Sequence, residues 1–151
     1  MTHAIFMYGS NLDREQLKTR AKNWDLKAQK AYLPKHELRF NKRKQDKSAA
    51  ANICPHPTRS VWGIIVKLNN EDLYEMDFRE GHPKHYARKP HTVYTFDEQK
   101  AVEVDIYIAQ PKFIDDTLHP SREYLQKIID GGHFCGLPGD YLKAIEQQRL
   151  I

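Results

Sequence analysis

The chain has 151 residues, enough for one domain with a sizeable core and too few for two. With 40% hydrophobic and 29% charged residues, no apolar run long enough to span a bilayer and no leader ahead of the first expected strand, a soluble cytoplasmic protein without membrane contact is expected. The net charge of +4 and pI of 9.0 are mildly basic, and two cysteines, Cys54 and Cys135, do not make a disulfide framework.

Residues 3–8 form a short apolar run ending at Gly9, which reads as a buried strand. Ser10 then stands where a helix cap would, with Asp13 three residues on as capping-box partner, and Leu17, Ala21 and Trp24 follow at helical spacing. Strands are expected at 27–33, 37–41, 49–54 and 61–68, with Pro55 and Pro57 punctuating the last two. The basic stretch 35–47 holds Lys35, Arg39, Lys42, Arg43, Lys44 and Lys47 and reads as a solvated strand end and loop. Asn70 opens a helix that runs to Arg79. Pro83 and Pro90 break up the next segment, and strands follow at 91–96 and 102–109. In the second of these Val102, Val104, Ile106 and Ile108 alternate with polar neighbours, the mark of a half-buried strand. Helices are expected at 121–130, stopped by Gly131 and Gly132, and at 140–149. The whole reads as a single α+β domain over residues 1–151, with a bent or barrel-like mixed sheet and flanking helices.

Two segments suggest chemistry. Leu73, Met76, Asp77 and Glu80 fall at i, i+3, i+4 and i+7 and share one helix face, which its two apolar members turn inward. A carboxylate on such a face has its charged form disfavoured and its pKa raised, as a general base near neutrality requires. Periodicity leaves a second reading of Glu80 open, in which it lies past the helix end beside Gly81 and is solvated. Asp77, one turn earlier, reads as structural, bonded to backbone amides or a neighbouring cation. The second segment, Tyr8-Gly9-Ser10-Asn11-Leu12, sets a glycine between a strand and a helix start, where unpaired N–H groups favour an anion or an oxyanion. It lacks the pattern of a phosphate-binding Walker loop and of a nucleophile elbow.

Together these segments resemble the gamma-glutamylcyclotransferases. Tyr8-Gly9-Ser10-Asn11-Leu12 is similar to that family's substrate-binding loop, and Met76-Asp77-Phe78-Arg79-Glu80-Gly81 to its Leu-Asp-x-x-Glu-Gly segment, whose glutamate is catalytic. Phe40-Asn41-Lys42-Arg43, Ala51-Asn52-Ile53, Val61-Trp62-Gly63, and Tyr124 followed by Gly131, Gly136-Leu137-Pro138 and Tyr141 extend the likeness over nearly the whole chain. The resemblance implies that Glu80 is the catalytic acid/base. It implies that Ile5, Phe6, Met7, Tyr8, Gly9, Ser10 and Asn11 line the pocket for a glutamyl group. Tyr86 would stand near the reacting atoms, and Tyr124 would close the pocket. The chain departs from the pattern at Met76 for leucine, Met7 for a frequent alanine and Gly132 for a common alanine; Met7 bears on the pocket wall.

The implied reaction is cyclisation of a small-molecule γ-glutamyl amide by its own α-amine, releasing 5-oxoproline and a free amine, with no metal or organic cofactor and by a monomer or homodimer. The rival functions are a non-catalytic γ-glutamyl-binding homologue, a metal-dependent hydrolase drawing on Cys54, His56, His82, His85 and His91, and a nucleic-acid-binding module. The metal reading lacks established ligand spacing. The nucleic-acid reading lacks an aromatic RNA-binding pattern or a helix-turn-helix signature.

Overall fold

Two long strands organise the computed structural model, which describes residues 1–151. β2 (Gln29–Arg43) and β3 (Ala49–Asn69) form an antiparallel hairpin, closed where the Lys44 N–H donates to the Ser48 carbonyl. Four short strands were expected in this region. Pro55 and Pro57 fail to divide it because the pairing jumps between Pro34↔Ser60 and His36↔Pro55. Residues 56–59 bulge out there, so Pro57 needs no ladder N–H. A second register slip falls between Phe40 and Lys42, where Phe40, Asn41 and Lys42 are buried in succession rather than alternately.

β1 (Thr2–Met7) runs antiparallel to the end of β3, from Thr2↔Asn69 to Met7↔Ile64. β4 (Tyr86–Thr95) and β5 (Ala101–Ala109) make a second hairpin. β4 meets β2 at Ala31↔Thr95 and Tyr32↔Tyr94, and β5 meets β1 in parallel at Ile5↔Asp105. These seams close a barrel in the order β1-β3-β2-β4-β5. Pro90, expected to precede the strand, lies within β4. It faces Asp105 on one side, and β2 reaches β4 only at its far end, so the missing N–H deprives no partner. Ile5, Val61, Val66, Val93 and Ile106 are among the side chains fully buried in the single core.

Four helices flank the barrel. α1 (Arg14–Arg20) follows a short 3-10 turn at Ser10–Leu12. Its cap is Asp13 rather than Ser10: the Asp13 carboxylate accepts from the N–H groups of Glu15 and Gln16. Ala21 and Trp24 are buried as their spacing suggests, although the helix ends before them. α2 (Asn70–Glu80) is capped by the Asn69 side chain, which accepts from the Asp72 N–H at 2.9 Å, and ends at Gly81 with φ of 69°. α3 (Arg122–Cys135), capped by Ser121, runs straight through the two glycines expected to stop it and ends at Gly136. A Cβ at 131 would come within 2.4 Å of the Leu12 carbonyl, and one at 132 within 2.4 Å of the Leu142 side chain. Those glycines therefore serve close packing. α4 (Gly139–Glu146) packs on α3 and stops three residues earlier than expected. Cys54 and Cys135 are unpaired, and no helix is long and apolar enough to cross a membrane.

Candidate active site

The inward face of α2 sets the geometry of its two carboxylates. Leu73 and Met76 are buried while Tyr74 and Phe78 point outward, so Asp77 and Glu80 follow the apolar pair toward the barrel mouth. Asp77 is consumed by the fold. It accepts from Arg88 Nε at 2.9 Å and Nη2 at 3.1 Å and from the Tyr107 hydroxyl at 2.7 Å, while Arg88 also reaches Asp105 at 2.7 Å. Burial pushes the Asp77 carboxyl up, but the Arg88 and Tyr107 bonds outweigh it and hold the group below its usual range.

Glu80 is the last residue of α2, inside the helix rather than in the solvated turn beyond it, with a side chain only 18% exposed. Its Oε1 accepts from Asn11 Nδ2 at 3.0 Å and faces Arg20 Nη1 at 3.9 Å. Burial raises its pKa, opposed by Arg20, Asn11 and Lys42. The Asn11 amide is oriented by its other end, where Oδ1 accepts from Gln16 Nε2 at 3.0 Å and Arg20 Nη1 at 3.1 Å; this leaves Nδ2 facing Glu80.

Glu80 opens into a small cavity walled by Phe6 to Asn11, Ala51, Tyr86, Tyr107 and Tyr124. The expected pocket residues are thus brought together with one exception. Ile5 is fully buried and paired on both sides, to Val66 and Asp105, one step deeper in the strand than the wall begins. The 3-10 turn's own bonds run from the Leu12 and Asp13 N–H groups back to Gly9 and Ser10. The N–H groups of Gly9, Ser10 and Asn11 at its open end therefore take no partner within the turn. Gly9 keeps the wall thin: a Cβ there would stand 3.3 Å from Ala51 Cβ and 3.7 Å from the Tyr124 hydroxyl.

The tyrosines are held by backbone. Tyr86 donates to the Ala51 carbonyl at 2.7 Å, Tyr124 accepts from the Ala51 N–H at 2.9 Å, and Tyr8 donates to the Tyr107 carbonyl at 2.6 Å. Burial pushes Tyr124 up to about 12 and raises Tyr8 and Tyr86 as well, with the charge of Glu80 adding to each, so all three are neutral hydroxyls near pH 7.

Several site residues escaped the sequence. Arg20 and Gln16 come from α1, Tyr107 from β5 and Ala51 from β3, and none carries a local signal. Lys42 is the clearest case. Expected on a solvated face, it is 8% exposed, and its Nζ donates to His85 Nδ1 at 3.2 Å beneath the mouth of the cavity. The residues of the metal reading are spread over separate tasks. His56 accepts from the Thr58 and Arg59 N–H groups, His82 accepts from the Arg88 N–H, and His91 meets His36 edge-on.

Residues 5–134 match the family described as gamma-glutamyl cyclotransferase, AIG2-like. No curated protein matches the chain. Among solved structures, a gamma-glutamyl cyclotransferase aligns with a TM-score of 0.88 at 25% identity, over 100% of this chain and 90% of its own. An uncharacterised protein from Homo sapiens aligns at 0.87 and 26% identity, over 99% and 89%. A yeast gamma-glutamyl cyclotransferase described as specific to glutathione shares the fold at 0.71 and 11% identity, over 95% and 93%.

Proposed function

The chain belongs to the gamma-glutamyl cyclotransferase, AIG2-like family, and from that premise we propose that it cyclises a γ-glutamyl amide, releasing 5-oxoproline and a free amine. What carries this function is the Glu80 carboxylate, poorly solvated and raised in pKa, facing a cavity that Gly9, Ser10 and Asn11 of the turn also line. Such a carboxylate is a competent base. Glu80 takes a proton from the substrate's α-ammonium. The freed amine attacks the γ-carbonyl carbon, the C–N bond of the new five-membered ring forms, and negative charge collects on the carbonyl oxygen. The turn's backbone N–H groups suit that oxygen or the α-carboxylate. Protonated Glu80 then donates its proton to the departing nitrogen as the old C–N bond breaks, and the ring nitrogen gives up its second proton, through the restored carboxylate, to the released amine, which leaves as an ammonium. Nucleophile and electrophile share one chain, so much of the barrier is met by proximity, with effective molarities of about 10⁵–10⁸ M for well-oriented cases.

The deciding experiment incubates the protein with a panel of γ-glutamyl conjugates and separates the products by chromatography. Release of 5-oxoproline is expected, with no turnover of any N-acetyl analogue, whose acylated nitrogen cannot attack. Turnover of an N-acetyl analogue, or glutamate as the main product, overturns cyclotransfer in favour of hydrolysis on the same scaffold.

A further inference from the structure

Granted the cyclotransfer chemistry above, we propose that Lys42 and Lys44 form a subsite for an anionic group on the amine half of the substrate, so that the preferred conjugates release an amine bearing a carboxylate. The two ammonium groups stand at the edge of the cavity. Lys42 Nζ lies 5.4 Å from the centre of the Tyr86 ring, and Lys44 Nζ lies 4.6 Å from that of Tyr124; both rings line the cavity wall. None of the molecule's ion pairs includes either lysine. Lys42 is held by neutral groups, the imidazole of His85 and the rings of Tyr86 and Phe113. Burial and the adjacent Lys42 charge lower the pKa of His85, which keeps that imidazole uncharged. A lysine so buried ordinarily has a carboxylate partner, because an uncompensated charge away from water is unfavourable. At this position the fold supplies only the Glu80 carboxylate, beyond ion-pair distance.

A substrate can supply a nearer one. A second cavity adjoins the first and shares Glu80 and Tyr86 with it. It is bordered by Lys42, Arg43, Lys44, Lys47 and Arg79, and Glu80 is the only carboxylate on its wall. A residue that passes a proton to the scissile nitrogen must stand between the glutamyl half and the amine half of the substrate. With the glutamyl half in the first cavity, the amine half therefore enters the second, among cations. In an α-linked amino acid or peptide the carbon bonded to the scissile nitrogen also bears the carboxyl or carbonyl group. A single amino acid thus brings its carboxylate directly to the lysine rim. A neutral amine leaves both ammonium groups unpaired, and a cationic amine meets like charge.

The test compares kcat/KM for γ-glutamyl-L-alanine, its C-terminal amide and γ-glutamylputrescine, which are anionic, neutral and cationic on the amine half. The acid is expected to exceed the amide by about tenfold, the scale of one charge-assisted contact at a partly exposed site. Putrescine should rank last, and the preference should shrink as salt rises. Lys42 also acts on Glu80 through its charge, so the quantity read is the acid-to-amide ratio, from which any common effect on the base cancels. Lys42→Met and Lys44→Met should each lower that ratio, and Lys42→Arg should restore most of it. Lys44 lies on the half-exposed hairpin, so its variant keeps the test available if Lys42→Met fails to fold. Equal turnover of acid and amide, or a ratio unmoved in both methionine variants, overturns the subsite and leaves cyclotransfer standing. Release of 5-oxoproline from none of the conjugates overturns cyclotransfer, and the subsite with it.

Discussion

The two sides of Glu80 are built on opposite plans. Toward the Gly9 turn, the polar side chains are hydrogen-bonded within the protein: Tyr8 to the Tyr107 carbonyl, Tyr86 and Tyr124 to Ala51, and Asn11 to Gln16, Arg20 and Glu80. Toward the hairpin tip, Lys42 and Lys44 carry charge that no carboxylate of the chain meets at ion-pair distance. A saturated wall fixes distances, because none of its groups can rotate without breaking a bond. An unanswered charge fixes no distance, but it discriminates between molecules that do and do not bring the opposite sign. Under the proposed function, the wall would govern whether reaction occurs, and the rim on what.

The most severe break of this contrast is Glu80→Gln. It should reduce kcat by about 10²–10⁴-fold on every conjugate alike, since general acid–base groups contribute on that scale. Stability should move the other way. The folded-state pKa of Glu80 lies above its unfolded value, so the folded chain holds this proton more tightly, and the associated stability is lost as pH rises through the folded pKa. Glutamine never ionises. The variant should melt at or above the wild-type temperature at pH 7, and a lower melting point would count against a strained carboxylate.

Asp77→Asn should act next most strongly, and mainly on stability, by about 1–3 kcal/mol from the weakened contacts to Arg88 and Tyr107. The folded pKa of Asp77 is depressed, so its contribution is present above the unfolded pKa and lost as pH falls through the folded one. The melting gap between wild type and variant should therefore close in acid. A large drop in kcat at unchanged melting temperature would contradict the division of labour between the two carboxylates. A smaller effect comes from Asn11→Ala. It removes one of the interactions opposing burial at Glu80, so the acid limb of the kcat/KM profile should move to higher pH. The smallest expected effect is none at all: EDTA followed by desalting should leave turnover unchanged, and loss restored by zinc would reverse that expectation.

The legible parts of the molecule were those whose signal is local. The strand-glycine turn at Tyr8-Gly9-Ser10 and the α2 face bearing Glu80 each occupy a few consecutive turns, and alternation in β5 marked a half-buried strand. Errors arose where a residue's role depends on a distant partner. Pro57 and Pro90 look like strand breakers until the neighbouring strand is known to be absent or bulged at that point. Gly131 looks like a helix stop until the Leu12 carbonyl is known to press against it. Lys42 looks solvated because a register slip, invisible in composition, buries three consecutive residues of β2. Arg20 and Gln16 are ordinary surface residues of an amphipathic helix in sequence, and only the fold turns them toward Asn11.

The late arrival of α3 has a consequence for the chain as it is made. Every strand of the barrel is complete by Ala109, yet Tyr124, which closes the cavity, and Gly131, which backs the Leu12 carbonyl, lie beyond it. A ribosome releasing the chain in order supplies every barrel strand and Glu80 before the residues that complete the pocket wall. The cavity is complete only with α3 docked, a helix whose two interior glycines weaken it in isolation by about 1 kcal/mol each.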